Sequence, residues 1–397
     1  MSSSDPIFLP KGFKFSALTA GIKASGKPDL ALISAEPVAT AAAMFTKNLV
    51  VAAPVEVGRA ALATSRGQVR AVVVNSGNAN CATGVAGLRA CKSVCAETAK
   101  LLEATPSLVF PSSTGIIGVP LPTAKITSHL RSLIAGAEAS VDHLRAFADA
   151  ILTTDKRPKI ASVPLQAGKG AITGIAKGSG MIHPQLATML VYLLTDVSAT
   201  PGELGSALRW ACNDSFNVIS VDGDTSTNDS VLLLASGSSG IPLRKIRNEF
   251  ANALSSICRS LAEQIVADGE GVQRIIRLKI EQARSRKEAL QVARTIAHSL
   301  LVKTAWAGAD PNWGRILAAI GRSGVPLNPA RVSISIGSQL VCRGAVACDF
   351  DAPLAHRDLS QPECSVTVRL GRGKARLEFI TTDLTQEYVR INAEYST

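Results

Sequence analysis

The residues Lys177-Gly178-Ser179-Gly180-Met181-Ile182-His183-Pro184-Gln185-Leu186-Ala187-Thr188-Met189-Leu190 set one small hydroxyl, Thr188, before the mostly apolar run Met189–Leu194. A threonine hydroxyl is a poor nucleophile and gains reactivity from an adjacent base. Its own α-amine is one such base, provided the Ala187–Thr188 peptide bond is first cut. The approach suits that event. Gly178 and Gly180 admit unusual backbone angles and Pro184 restricts its own, so the Ala187 carbonyl can be held near the Thr188 hydroxyl. The small Ala187 side chain leaves room for attack. An N-to-O acyl shift followed by hydrolysis would then free the amine. The plain alternative is a β-branched residue opening a buried strand.

Other segments carry polar groups that such chemistry needs. Pro111-Ser112-Ser113-Thr114-Gly115-Ile116-Ile117-Gly118 follows the apolar run Leu108–Phe110 and reads as a strand end entering a glycine-rich turn. Acyl transfer develops charge on a carbonyl oxygen, and each donor aimed at it contributes about 3–4 kcal/mol. Gly115 offers an open N–H and Thr114 a hydroxyl; a simple turn fits this segment equally well. Asp268-Gly269-Glu270-Gly271 follows a long helical pattern, with Gly269 placed as a helix C-cap. Glu270 is then either a solvated acid or the partner of a substrate amine. Thr153-Thr154-Asp155-Lys156 forms a further polar cluster.

Ser220-Val221-Asp222-Gly223-Asp224-Thr225-Ser226-Thr227-Asn228-Asp229 invites a calcium-loop reading. Thr227 stands where that loop requires glycine, and Leu233 where it requires glutamate, so a hydrogen-bonded polar loop is expected instead. A phosphate-binding P-loop is absent, Lys177–Met181 lacks the third glycine of a dinucleotide site, and Ser179 lacks the flanking pattern of a nucleophile elbow. The eight cysteines show no C-x-x-C and no zinc spacing, which fits buried free thiols in a reducing compartment. Of five histidines, only His183 lies near the candidate nucleophile. It could serve as base in a Thr–His scheme, with a core or surface role as the plain alternative.

Positioning these groups requires a sizeable scaffold. The 397 residues suffice for two domains, and 46% are hydrophobic. The net charge of +11 is not matched by any basic run interleaved with aromatics, which argues against nucleic-acid binding and suits small anionic substrates. The first residues lack a signal-peptide pattern, and no apolar run reaches the ~18 residues of a membrane span, so a cytoplasmic, non-membrane protein is expected. Strands are predicted at Leu30–Ser34, Val50–Val57, Val69–Val74, Ile160–Leu165, Ala171–Ala176, Met189–Leu194, Val231–Ala235, Ile275–Ile280, Val332–Ile336, Ser365–Leu370 and Ala375–Ile380. Helices are predicted at Gly84–Leu102, Thr123–Ile134, Val141–Ile151, Pro201–Asp214, Arg244–Ala267, Arg284–Ser299 and Trp313–Ile320. Their alternation favours a layered α/β architecture. The polar stretch 282–287 suggests a boundary between a catalytic unit, 1–285, and a smaller C-terminal α+β unit, 286–397.

Taken together, these segments resemble the ornithine acetyltransferase family of arginine biosynthesis, also described as bifunctional glutamate N-acetyltransferases. The resemblance spans the chain: Lys11–Phe13, Met44–Asn48, Asn75–Asn80, Ser113–Gly118, Thr153–Asp155, Lys177–Leu190, Asp222–Asp229, Asp268–Gly271, Asp310–Arg315 and Ile391–Thr397. It departs at Gln185-Leu186, where the family often has Asn-Met, and at Val272-Gln273-Arg274. It implies a mixed β-sheet sandwich flanked by helices, of the self-cleaving N-terminal-threonine type. It also implies cleavage between Ala187 and Thr188 into an α chain, 1–187, and a β chain, 188–397, assembled as two of each. Acetyl would pass from N-acetylornithine to Thr188 and then to glutamate, without a cofactor. Thr114 and Gly115 would form the oxyanion hole; Thr154, Lys177, Thr188, Glu270, Asn392 and Thr397 would contact substrate. Acetyl-CoA stays open as an alternative donor. A hydrolase of N-acyl amino acids or peptides with the same nucleophile is the competing function.

Overall fold

Runs rich in Val, Ile and Leu form strands here because both faces of the main sheet are covered, so alternate residues need not be polar. The computed structural model describes residues 6–183 and 189–394. The first eight strands are β1 (Phe13–Leu18), β2 (Leu30–Phe45), β3 (Gln68–Asn78), β4 (Val109–Ile116), β5 (Lys159–Leu165), β6 (Gly170–Lys177), β7 (Leu190–Thr195) and β8 (Ser230–Ala235). They join in the order β4-β3-β2-β8-β7-β6-β5, with β1 added beside β2. Helices α1 (Ala53–Thr64), α2 (Gly84–Leu101), α3 (Thr123–Ala135), α4 (Val141–Ala150), α5 (Pro201–Asn213) and α6 (Arg247–Ala267) connect and cover them.

The sixteen-residue β2 is the hinge of this arrangement. Its first half pairs with β1 and β3 and its last residues with β8, with a register shift between Ser34 and Ala39. One core lies between the two halves of the sheet: Ile33 and Val72 on one side meet Tyr192 and Leu232 on the other. Phe147 of α4 fills it, packing edge-on against both Phe15 and Tyr192. Outer faces are covered by helices. Leu32, Val73 and Val109 pack under α2 and α3, while Val191, Leu193, Val231 and Leu233 pack under α5 and α6. The helix predicted at 244–267 forms as α6 and buries one stripe, Phe250, Leu254, Ile257 and Leu261, each worth about 1.5–3 kcal/mol of burial.

A second sheet follows, built from β9 (Ile275–Ala283), β10 (Ser333–Ile336), β11 (Gln339–Arg343), β12 (Val346–Ala347), β13 (Glu363–Arg369) and β14 (Ala375–Thr382), in the order β12-β11-β10-β13-β9-β14. Around it lie α7 (Arg286–Ala297), α8 (Leu300–Ala307), α9 (Trp313–Gly321), α10 (Ala352–Leu359) and α11 (Gln386–Glu394). The layered mixed α/β sandwich with a smaller α+β unit is therefore the observed fold. The second sheet begins with β9, upstream of the polar stretch 282–287. Among the described residues no helix is long and apolar enough to cross a membrane.

One predicted element is corrected. Val50–Val57, read as a strand from its valines, contributes instead to α1. Pro54 sits in the first turn, where a missing N–H costs nothing. Pro54, Val55, Gly58 and Ala61 then bury at helical spacing.

Candidate active site

The end of β6 sets the site. Lys177, its last residue, faces Leu190 of antiparallel β7, and Leu190 faces Ser230 at the start of β8. The chain thus leaves the sheet after Lys177 and rejoins it at Leu190, at the same end. The same end receives the last turns of β3 and β4, where Ser76 and Gly77 lie opposite Thr114 and Gly115. Gly115 has φ 130°, and a methyl group there would lie 2.4 Å from the Gly77 carbonyl carbon. No side chain fits that approach, so the identity of residue 115 follows from the parallel pairing itself. Asn228 braces this turn from the far side, its amide donating to the Ala79 and Ser113 carbonyls at 2.7 and 2.9 Å.

A cavity of about 280 Å³ opens there, the size of an amino-acid derivative. Thr114, Gly115, Thr154, Lys177, Glu270 and Asn392 all line it. Every predicted site residue within the described part of the chain is therefore brought to one place. Ala187 and Thr188, and Thr397 at the C-terminus, lie outside the described residues. The cavity is bipolar: Lys177 supplies a cation, while Glu270, Asp222 and Asp224 supply carboxylates. Glu270 accepts a hydrogen bond from the Asn392 side-chain amide at 2.9 Å, and its own N–H donates to the Ser179 carbonyl at 3.1 Å. Thr154 and Ser179 share a hydroxyl–hydroxyl bond of 2.8 Å.

Lys177 is held by a buried ion network. Its ammonium lies 3.8 Å from the Asp155 carboxylate. Asp155 accepts the Lys159 ammonium at 2.7 Å and the Gly178 N–H at 2.6 Å. Lys159 also reaches Asp268 at 2.7 Å. Burial alone would raise the Asp155 pKa. The ammonium groups of Lys177 and Lys159 outweigh it, with the Gly178 N–H, and hold that pKa at about 2. The carboxylate is thus charged at neutral pH and fixes both the end of β6 and the Thr153 turn, whose N–H it accepts at 3.2 Å.

The polar loop 220–229 proves to be hydrogen-bonded, as expected. Asp222 accepts the N–H groups of Met181 and Ile182 at 2.5 and 2.9 Å. Its pKa is pushed up to about 6 by burial, against the pull of those N–H groups and that of Asp224. Asp229 accepts the Met189 N–H at 2.9 Å. Both ends of the segment carrying Thr188 are therefore tied to one loop. Gly269 does not cap α6 in the left-handed conformation; Gly271 has the positive φ, 65°, and lies against the backbone of Tyr388. His183 is not placed as a base for the cavity: its ring meets His298.

Sequence reasoning missed Lys159, Asp229 and Tyr388. Lys159 left one signal, a cation opening an otherwise apolar strand. Tyr388 lines the cavity beside Glu270, its phenol held well above the ordinary range by burial and by the Asp222 and Glu270 carboxylates.

The ArgJ family profile matches residues 14–397. The arginine biosynthesis bifunctional protein ArgJ of Chlorobaculum tepidum is 42% identical over 397 residues, covering 99% of this chain and 98% of the relative. The glutamate N-acetyltransferase of Methanopyrus kandleri is 43% identical over 394 residues, covering 98% and 99%. A crystal structure of the ArgJ bifunctional protein of Bacillus halodurans is 39% identical, covers 51% of this chain and 98% of its own, and superposes with a TM-score of 0.49.

Proposed function

The chain belongs to the ArgJ family, and from that premise we propose that Thr188, freed by cleavage after Ala187, carries acetyl from N-acetylornithine to glutamate. The enzyme is an acetyltransferase of arginine biosynthesis. The observation that supports the site assignment is the bipolar cavity, with Lys177 facing three carboxylates beside Thr114 and Gly115.

In this reading the Thr188 hydroxyl attacks the acetyl carbonyl of N-acetylornithine, and its proton passes to the free α-amine. Thr114 and Gly115 stabilise the oxyanion. The C–N bond then breaks, the amine of ornithine takes the proton, and an acetyl ester remains on Thr188. The glutamate α-amine attacks that ester and loses its proton to the Thr188 amine; the acyl C–O bond then breaks, that proton passes to the Thr188 oxygen, and N-acetylglutamate leaves the restored hydroxyl and amine. Lys177 pairs with the α-carboxylate common to both substrates, and Thr154 and Thr397 complete the contacts. The cavity accommodates an amino acid; acetyl-CoA as a second donor would keep its nucleotide outside it.

The competing hydrolase is separated by following labelled acetyl from N-acetylornithine. Label is expected in N-acetylglutamate when glutamate is present, with little free acetate. Acetate release that exceeds transfer would sink the transferase reading. Running the assay with labelled acetyl-CoA tests the second donor.

Glu270 is assigned to the side-chain amine of N-acetylornithine. Glu270→Gln keeps the shape and the contact with Asn392 but removes the charge. The loss of a charged hydrogen bond, ~1.5–3 kcal/mol, should lower kcat/KM for N-acetylornithine by about 10- to 100-fold. Glutamate has no such amine, so its kcat/KM should change by less than about threefold, since each ping-pong half-reaction is read separately. Equal losses for both substrates would refute this role.

A further inference from the structure

The upstream arm of the Thr188 segment is described as far as His183, and hydrogen bonds and one ring contact hold its last three residues. Asp222 accepts the Met181 and Ile182 N–H groups. The Ile182 carbonyl accepts the Val221 N–H and the Ser220 hydroxyl, each at 2.9 Å. The His183 ring lies 4.6 Å, centroid to centroid, from the ring of His298.

His298 comes from the second unit, where it caps the C-terminal end of α7. Its Nε2 is 2.9 Å from Ser220 Oγ and 3.3 Å from His183 Nδ1. The ring also rests on the loop itself, since a methyl added to Gly223 would meet its Cδ2 at 3.2 Å. One side chain therefore touches the arm, the loop that binds the arm, and the residue that joins the two.

Counting protons assigns the direction of these bonds. Burial, and secondarily Arg294, lowers the His183 pKa to about 4. Burial, then His183, Lys303, Arg294 and Arg322, lowers that of His298 to about 3. Each ring is neutral near pH 7 and carries one proton. Ser220 has one hydroxyl proton, and the Ile182 carbonyl takes it. Ser220 Oγ can then face His298 Nε2 at 2.9 Å only if Nε2 carries the proton. His183 Nδ1 accepts the longer branch, which leaves its own proton on Nε2.

We propose that His298 is a positioning residue for self-cleavage: its Nε2–H, shared between Ser220 and His183, holds residues 180–183 on the loop 220–223 and so orients the strand of chain that presents the Ala187–Thr188 bond. This rests on the reading that the chain cuts itself there. His298 lines no part of the catalytic cavity, so its effect on maturation is separable from acetyl transfer.

The test follows newly synthesised full-length chain into two fragments by denaturing electrophoresis over time. His298→Leu and Ser220→Ala should each lengthen the half-time about tenfold, equivalent to ~1.4 kcal/mol. His298→Gln, which keeps an N–H near the Nε2 position, should mature within about threefold of the natural chain. Once cut, the His298→Leu enzyme should turn over N-acetylornithine with unchanged kcat. Maturation of His298→Leu at the natural rate overturns the proposal, as does equal slowing of His298→Leu and His298→Gln. If the natural chain itself never yields fragments, the self-cleavage reading fails instead.

Discussion

Thr188→Ala is expected to remain one chain on a denaturing gel and to transfer no acetyl above background. Thr188→Ser is expected to mature and to keep measurable activity. The alanine variant lacks the hydroxyl for the N-to-O shift and, later, the nucleophile. Loss of a covalent nucleophile costs on the order of 10⁴-fold or more in kcat. The flanking structure should survive the change. Met181 and Ile182 are bound by Asp222, and Met189 by Asp229, through backbone N–H groups that do not involve the residue 188 side chain. A failure to cut would thus report chemistry rather than a lost anchor. Intact mass spectrometry gives the readout. Fragments ending at Ala187 and beginning at residue 188 in the alanine variant would show that another group cuts the bond.

The parts of this site that follow from neighbouring residues were legible in the sequence, and the parts that depend on distant partners were not. The apolar run after Thr188 and the helix 244–267 could be placed because local patterning sets them, and β7 and α6 form there. The Thr114-Gly115 turn was ambiguous by itself. What removes the ambiguity is the Gly77 backbone 2.4 Å from where a Cβ would stand, a contact made by a strand pairing that composition does not announce. Glu270 was an open choice between a solvated acid and an amine partner, while Thr154 and Asn392 entered the site through family resemblance; no periodicity brings α11 to the end of α6. Lys159 meets a partner 109 positions away in Asp268, and His298 meets Ser220 across 78. Such pairs are stabilised by burial, and burial of a polar group is a property of the finished fold. The misread α1 has the same cause in reverse. Its valines favour a strand locally, and the tertiary face that buries Val55 and Ala61 at helical spacing overrides that preference.

Lys159→Met should destabilise the enzyme by ~3–5 kcal/mol at pH 7, because it strands two buried carboxylates. The Lys159, Asp155 and Asp268 side chains are 0%, 0% and 3% exposed. At this chain length, such a loss corresponds to a Tm fall of roughly 5 °C if unfolding is cooperative. The pH dependence identifies the cause. In the natural chain the Asp155 pKa is about 2, below the ~3.9 of an unfolded aspartate. Its contribution to stability is therefore fully present above about pH 4 and is lost as pH falls through about 2. Without Lys159, Asp155 keeps the more distant ammonium groups of Lys177 and Lys23, and Asp268 loses its ammonium. Asp155 should then titrate at higher pH than in the natural chain, so acid relieves the variant while it weakens the natural chain. The gap in Tm should be widest near neutrality and close as pH is lowered from 5 toward 3. Adding Asp268→Asn to the variant should recover part of the loss. A Tm gap that stays constant over that range would mean that Lys159 acts through its methylene packing, and that Lys177 is positioned by Asp155 without help from the buried ammonium.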